Sequence, residues 1–202
     1  MCSSDLTGLP MMRAMVLEFP EDPTCRTLDR QYMLGGDLLV APVFHETRSE
    51  YYLPAGSWVH LLTGEVREGG RWFFDALDYF GMPLWIRSNA VVPVGHDAAR
   101  VDYDYAGGVR LVCGKLDGSS ARSLALVDAR GKPSTRFELT QNERRVVVSN
   151  LDMRRDFRVH LPWANGIGEL DGCELAPARA GREVLPGVEI VAAAPRVAFT
   201  WR

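Results

Sequence analysis

Apolar and polar residues alternate over short stretches along most of the chain, and glycine, proline, asparagine or aspartate interrupts the pattern at short intervals. Trp58, His60 and Leu62, for example, alternate in front of a Thr-Gly step at residues 63–64, which is typical of a strand that enters a hairpin turn. Long stretches with apolar residues at helical spacing are missing. The pattern therefore predicts a mostly β protein built from many short strands, as in β-sandwiches or barrels.

Two segments near the N-terminus have a different pattern. Met11 to Phe19 is a nearly continuous apolar run, which is typical of a strand that is paired along both edges and buried on both faces. Thr27 to Met33 has apolar residues at helical spacing behind a threonine that can cap a helix, and Gly35-Gly36 follows. We predict a strand over the first segment and one helical turn in the second.

The character of the chain changes near residue 95. Aromatic residues are dense before this point, whereas the later strands are longer and rich in valine and arginine, as in Arg144-Arg145-Val146-Val147-Val148. We place a boundary between two lobes at Gly95 to Arg100. No proline-rich or serine-rich linker lies there, so we expect the two lobes to share an interface.

Composition excludes several classes of protein. The chain has 202 residues, of which 47% are hydrophobic and 24% charged, so it is long enough for one or two domains with cores of their own. Its formal net charge is −3, which favours neither nucleic acid nor an anionic membrane as a partner. The longest apolar runs fall far short of the ~20 residues that a membrane-spanning helix needs. We therefore expect a soluble protein.

Cysteines and histidines are scattered along the chain. No C-x-x-C pair occurs and no short spacing groups thiols with imidazoles, so we predict no disulfide framework, no metal site and no cofactor. No cationic and apolar leader precedes a cleavage site, so a reducing compartment, the cytoplasm, is the simpler interpretation. The residues concerned are Cys2, Cys25, Cys113, Cys173, His45, His60, His96 and His160.

One part of the chain carries a specific resemblance. The stretch from Gly8 to Val43 contains, in order, Gly-Leu-Pro-Met-Met-Arg-Ala-Met-Val-Leu-Glu-Phe-Pro, Leu-Asp-Arg-Gln-Tyr-Met-Leu-Gly and Leu-Val-Ala-Pro-Val. Tyr-Leu-Pro follows at residues 52–54, and the similarity continues through Arg87 to Gly95. These motifs resemble glycoside hydrolase family 31, closest to its bacterial α-xylosidase branch. The resemblance covers somewhat less than half of the chain.

The resemblance implies a (β/α)8 catalytic barrel that is followed by two β-sandwiches. On this plan residues 1–20 are a remnant of the last barrel strand, residues 21–96 form the proximal sandwich and residues 97–202 form the distal one. The chain then resembles a C-terminal fragment, and its partner is the missing barrel, through which alone it would reach carbohydrate. Without that barrel we expect Met11 to Phe19 to lack neighbouring strands and a core, and the chain to self-associate.

The same resemblance implies a retaining α-glycosidase, whose mechanism needs two carboxyl groups roughly 5–5.5 Å apart. In the family the nucleophile lies in an Asp-x-Gly-Glu-like stretch, and the nearest string here, residues 62–65, has no aspartate. We therefore predict that the chain contains no catalytic, cofactor-binding or metal-binding residue and is inactive by itself. Arg13 and Glu18, at the end of the predicted barrel strand, are expected to form ion pairs rather than to catalyse.

The aromatic residues of the first lobe leave other functions open. They suit core packing on alternating strands, but their flat apolar faces could also stack on sugar rings. The predicted function is a structural, C-terminal part of an α-xylosidase-like or α-glucosidase-like hydrolase. The alternatives are a free-standing carbohydrate-binding β-sandwich module, which a row of solvent-facing rings would favour, and an enzyme assembled with a separately encoded barrel. The rings in question belong to Tyr51, Tyr52, Trp58, Trp72, Phe73, Phe74 and Trp85.

Overall fold

The computed structural model describes residues 8–44, 48–78, 81–97, 99–100, 102–128, 130–153, 156–177 and 185–202. Within these ranges the chain forms strands joined by turns, with one α-helix, α1 (Met15–Glu18), and one 3-10 helix (Pro23–Arg26), which confirms the predicted mostly β fold. In the described part of the chain, no helix is both long enough and apolar enough to cross a lipid bilayer. The strands are β1 (Met12–Ala14), β2 (Tyr32–Leu34), β3 (Leu38–Val40), β4 (Arg48–Leu53), β5 (Ser57–His60), β6 (Val66–Glu68), β7 (Arg71–Ala76), β8 (Leu84–Arg87), β9 (Val91–Val94), β10 (Arg110–Cys113), β11 (Ser120–Val127), β12 (Pro133–Asn142), β13 (Arg145–Asn150), β14 (Arg158–Leu161), β15 (Ile167–Asp171), β16 (Cys173–Leu175), β17 (Val188–Ala192) and β18 (Arg196–Trp201).

The first lobe is a sandwich with unequal layers. One layer is a six-stranded antiparallel sheet in the order β1-β2-β3-β8-β5-β6, which we call the large sheet. The other layer is a two-stranded antiparallel ribbon of β4 and β7, the β4–β7 ribbon. Because side chains alternate along a strand, every second side chain points into the space between the layers. The core there is built around Met33, Leu39, Tyr51, Trp58 and Trp85, all of which are buried.

The second lobe is a sandwich of two five-stranded sheets. Their strand orders are β16-β17-β14-β10-β9 and β11-β12-β13-β18-β15. Apolar side chains from both sheets meet in a single core, because each strand presents every second residue to the opposite sheet. Leu111, Phe137, Val148, Phe157 and Phe199 are nearly or completely buried in this core. The β-sandwich architecture that the sequence predicted is confirmed.

A third apolar cluster lies where the two lobes meet, as the absence of a flexible linker led us to expect. Leu38, Val40 and Ile86 come from the face of the large sheet that points away from the β4–β7 ribbon, and they pack with Val112 of β10. Strand β9 lies before the boundary that we predicted between residues 96 and 97, and it pairs with β10 behind that boundary. The assignment of residues 1–20, 21–96 and 97–202 to separate units stays a prediction.

The prediction of one continuous strand from Met11 to Phe19 is wrong. Only β1 is extended, and it pairs antiparallel with β2 at the edge of the large sheet. The chain then turns into α1, closed by a hydrogen bond from the Phe19 amide to the Met15 carbonyl (2.9 Å). We also expected this segment to lack neighbouring strands and a core, and that expectation is wrong. β1 forms backbone hydrogen bonds with β2, and Met15 is completely buried.

The predicted helical turn at Thr27 to Met33 is wrong as well. The short helix lies earlier, at Pro23–Arg26, because Asp22 caps it by accepting a hydrogen bond from the Thr24 amide (3.0 Å) and proline fits its first position. Gln31 exchanges two hydrogen bonds of 2.8 Å with the backbone of Tyr52. These bonds tie the following residues to the sandwich, and Tyr32–Leu34 becomes strand β2 instead of a helix.

The burial of Met15 generates a stability prediction. Met15→Ala removes a completely buried side chain, so the free energy of unfolding should fall by about 2–5 kcal/mol. Met12→Ala is the matched control, because Met12 is 57% exposed and the same change should cost no more than about 0.5 kcal/mol. Urea denaturation of both variants measures the difference. Equal stabilities would contradict the position of Met15 in the core.

The contact between the lobes gives a second prediction. A methyl group added to Gly114, which follows β10, would overlap the backbone carbonyl of Arg87 on β8. Gly114→Ala should therefore lower the free energy of unfolding by about 1–3 kcal/mol, since neither backbone can yield easily. Gly166→Ala is the control, because no atom lies within 4 Å of the added carbon. An unchanged denaturation midpoint for Gly114→Ala would show that the lobes do not approach each other there.

Candidate functional site

Arg13 and Glu18, the charged residues that the sequence singled out, lie together on the N-terminal segment. The Arg13 guanidinium pairs with one carboxylate oxygen of Glu18, and its Nε donates to the carbonyl of Pro10 (2.9 Å). Arg87 Nη1 lies 3.9 Å from the other Glu18 oxygen, and the Arg87 guanidinium covers the Phe19 ring at 4.6 Å. The cluster therefore joins β1 and α1 to β8.

Asp37 and Arg122 extend this cluster towards the second lobe. Asp37 Oδ1 lies 3.6 Å from Arg122 Nη2 on β11, and Arg87 donates to the neighbouring carbonyl of Gly36 (3.1 Å). Burial raises the pKa of the Asp37 carboxyl, while Arg122 and Arg87 oppose that rise. Because arginines occupy the carboxylates of Glu18 and Asp37, the arrangement suits fixing of the N-terminal segment better than acid–base catalysis.

The exposed side of the N-terminal segment is apolar. Its charged members, Arg13 and Glu18, are paired with each other and are only 11% and 17% exposed, so they contribute little to the surface. Large exposed apolar side chains in one short segment are typical of a protein contact surface. We call this set the N-terminal apolar surface; it consists of Leu9, Met11, Met12, Val16 and Leu17.

The aromatic residues of the first lobe divide into two groups. Tyr51, Tyr52, Trp58 and Trp85 are buried and Phe73 is half-buried, which confirms the core-packing interpretation for these five. For Trp72 and Phe74 that interpretation is wrong, because they are 44% and 73% exposed. Both lie on the same face of β7, the face that points away from the large sheet. The sequence gives no signal for the difference, because both faces of β7 are aromatic.

Trp72 and Phe74 line a cleft of about 890 Å³ on the outer side of the β4–β7 ribbon. Residues 27–31 and, after β3, Pro42 and Phe44 also line it. The Phe44 side chain is 69% exposed. We call this feature the aromatic cleft; it combines exposed rings with charged side chains of β4 and of the 27–31 loop.

A partly buried polar network includes Asp75, which also lines the aromatic cleft. Arg67 Nη1 donates to the hydroxyl of Tyr51 (2.8 Å) and to Asp75 Oδ2 (2.8 Å), and the Tyr51 hydroxyl donates to Asp75. Burial, reinforced by Asp75, raises the pKa of Tyr51 above its usual range. Glu65 accepts from Arg67 Nε at 2.7 Å. Asp75 is therefore engaged in holding β4, β6 and β7 together.

The scattered thiols and imidazoles are not assembled into a metal centre in the part of the chain that the structure describes. Cys25, Cys113 and Cys173 are buried free thiols, and burial raises the pKa of Cys113 to about 12. Burial lowers the pKa of His60 and of His160. Cys2 and His45 lie outside the described residues.

Comparison with known proteins shows similarity to one family over the first lobe. Residues 8–92 match the glycosyl hydrolase family 31 C-terminal domain. The chain is 28% identical over 158 residues to the α-xylosidase XylQ of Lactiplantibacillus pentosus, an alignment that covers 76% of this chain and 21% of XylQ. It is 36% identical over 121 residues to an α-xylosidase of Emericella nidulans, covering 55% of this chain and 16% of that protein.

Solved structures extend the match to the second lobe. The family 31 α-xylosidase of Xanthomonas citri superposes with a TM-score of 0.68 and 25% identity, over 99% of this chain and 22% of that one. A family 31 dextranase of Flavobacterium johnsoniae shares the fold with a TM-score of 0.72 and 16% identity, over 99% of this chain and 30% of that one. The chain thus spans about a fifth of the length of XylQ. Residues 8–92 match the glycosyl hydrolase family 31 C-terminal domain, and the chain as a whole is similar to the C-terminal region of enzymes of that family.

Proposed function

We propose that this chain is the structural, C-terminal part of a retaining α-glycosidase of the α-xylosidase type. Its N-terminal apolar surface packs against the (β/α)8 catalytic barrel of that enzyme. The barrel supplies both catalytic carboxyl groups, while this chain supplies no catalytic, metal-binding or cofactor-binding residue. Residues 1–20 join the barrel, and residues 21–96 and 97–202 act as its proximal and distal sandwiches.

One observation carries this proposal: large apolar side chains are exposed on a segment that strand pairing, a buried methionine and ion pairs hold in place. Met15 anchors the segment in the core, and the contacts of Glu18 with Arg13 and Arg87 neutralise its charges. A preformed apolar surface without unpaired charge is what the core of a stable protein interface requires. The names of the related α-xylosidases support the reaction class.

The proposed lack of a catalytic pair gives a direct prediction. The purified chain should release no nitrophenol from 4-nitrophenyl α-xyloside above the buffer rate, even at high protein concentration, because retaining hydrolysis needs two carboxyl groups that face one substrate. Glu18→Gln and Glu50→Gln variants are the controls for residual activity. Turnover that stays with the protein through purification and disappears in either variant would contradict the proposal.

A chimeric enzyme tests the packing against a barrel. We expect an enzyme in which this chain replaces the matching region of the Xanthomonas citri α-xylosidase to be soluble and active. Leu17→Asp should then lower its melting temperature and its yield, because a carboxylate would be buried between barrel and sandwich. Met153→Asp, at a similarly exposed methionine in the second lobe, should change neither.

The isolated chain serves as the reference for this experiment. Leu17 is 63% exposed and Met153 is 71% exposed, so in the isolated chain neither substitution should alter the denaturation midpoint. A chimera in which Leu17→Asp is as harmless as Met153→Asp would show that the N-terminal apolar surface is not the contact with the barrel.

A further inference from the structure

We propose that the aromatic cleft is a binding site for a neutral oligosaccharide, which stacks on Trp72 and Phe74. The inference concerns the outer face of the β4–β7 ribbon, whereas the proposed barrel contact involves the N-terminal apolar surface. Sugar binding at the cleft and packing against the barrel are therefore independent, and an experiment can disprove one while the other stands.

The two rings lie on the same face of one strand. Trp72 and Phe74 are alternate residues of β7, so their side chains leave the same face about 7 Å apart along the strand. The Trp72 ring contacts the Tyr52 ring, with 5.7 Å between centroids, and the Tyr52 hydroxyl donates to Asp22 (3.0 Å). Tyr52 is thus held by Asp22 and contacts Trp72, whose side chain stays 44% exposed.

The polar groups of the cleft suit hydroxyl groups. Asp29, Arg30, Arg48 and Glu50 line the cleft and are exposed. In the described structure none of these four makes a hydrogen bond or an ion pair through its side chain. Two carboxylates can accept from hydroxyl groups and two guanidinium groups can donate to them.

The balance of charge identifies the class of ligand. Among the described residues of the cleft, two free carboxylates and two free guanidinium groups cancel and Asp75 is engaged with Arg67, so these residues favour neither an anion nor a cation. A ligand with many hydroxyl groups and flat apolar C–H faces can form hydrogen bonds with the charged groups and can stack on the rings. Neutral sugars in pyranose form have this chemistry.

The shape and chemistry of the cleft distinguish it from a protein contact. Its volume of about 890 Å³ lies in the range of roughly 300–1,000 Å³ that is usual for small-molecule sites. Cores of protein interfaces are depleted of charged residues, whereas unpaired charged side chains line this cleft. Beside the N-terminal apolar surface, by contrast, Arg13 and Glu18 are paired with each other.

Titration of the purified chain with isomaltotriose, maltotriose and xylotriose tests the site. We expect saturable binding of at least one of them by isothermal calorimetry, together with a shift of the Trp72 indole signal in NMR spectra. Trp72→Ala and Phe74→Ala should each weaken the binding roughly tenfold, because each removes a stacking face. Trp72→Phe keeps a ring and should weaken binding less.

Met153→Ala is the matched control, because Met153 is similarly exposed but lies in the second lobe. Thermal melting of every variant shows whether the fold is retained, and Phe74→Ala, at a ring that is 73% exposed, should melt like the parent chain. No saturable binding of any of the three sugars would overturn the proposal. Binding that persists undiminished in folded Trp72→Ala and Phe74→Ala would overturn it equally.

Discussion

The large sheet of the first lobe is apolar on both faces, and the rest of the structure depends on the covering of both. Leu39 and Trp85 point to one face and are covered by the β4–β7 ribbon, while Leu38 and Ile86 point to the other and are covered by the second lobe. Neither face could remain in water without a large loss of buried apolar area. The two lobes are therefore packed into one body by the same strands that form the core of the first.

The edge of this sheet explains the N-terminal segment. β1 pairs with β2 and has no second neighbour among the described residues, and α1 turns the chain so that Met15 enters the core. The contact of Glu18 with Arg87 then fixes the segment from the opposite side. A segment that is held in this way presents its exposed apolar side chains in a defined position, as a surface for packing against another folded unit requires.

The small size of the β4–β7 ribbon explains the aromatic cleft. Two strands have only one face against the large sheet, and among the described residues no further sheet covers their outer face. The segment around Asp22 covers Tyr52 on that face, whereas Trp72 and Phe74 stay exposed. Phe73 and Tyr51 stack on the inner side of the ribbon, whereas Trp72 and Phe74 stay on the outer side. The aromatic residues of β7 thus have two roles. Those on the inner face stabilise the lobe, and those on the outer face are available for a ligand.

The sequence by itself determined the fold class of this protein and its resemblance to a family. Alternation with a period of two predicted the strands and the mostly β class, and the ordered motifs between Gly8 and Gly95 predicted the family. Three features were decided only by tertiary structure: the helix at Met15–Glu18, the strand at Tyr32–Leu34 and the exposure of Trp72 and Phe74. The reason is physical: an apolar run does not specify its partners, and β7 carries aromatic residues on both faces. Long-range contacts, such as those of Gln31 with Tyr52, decide which residues pair and which face meets water.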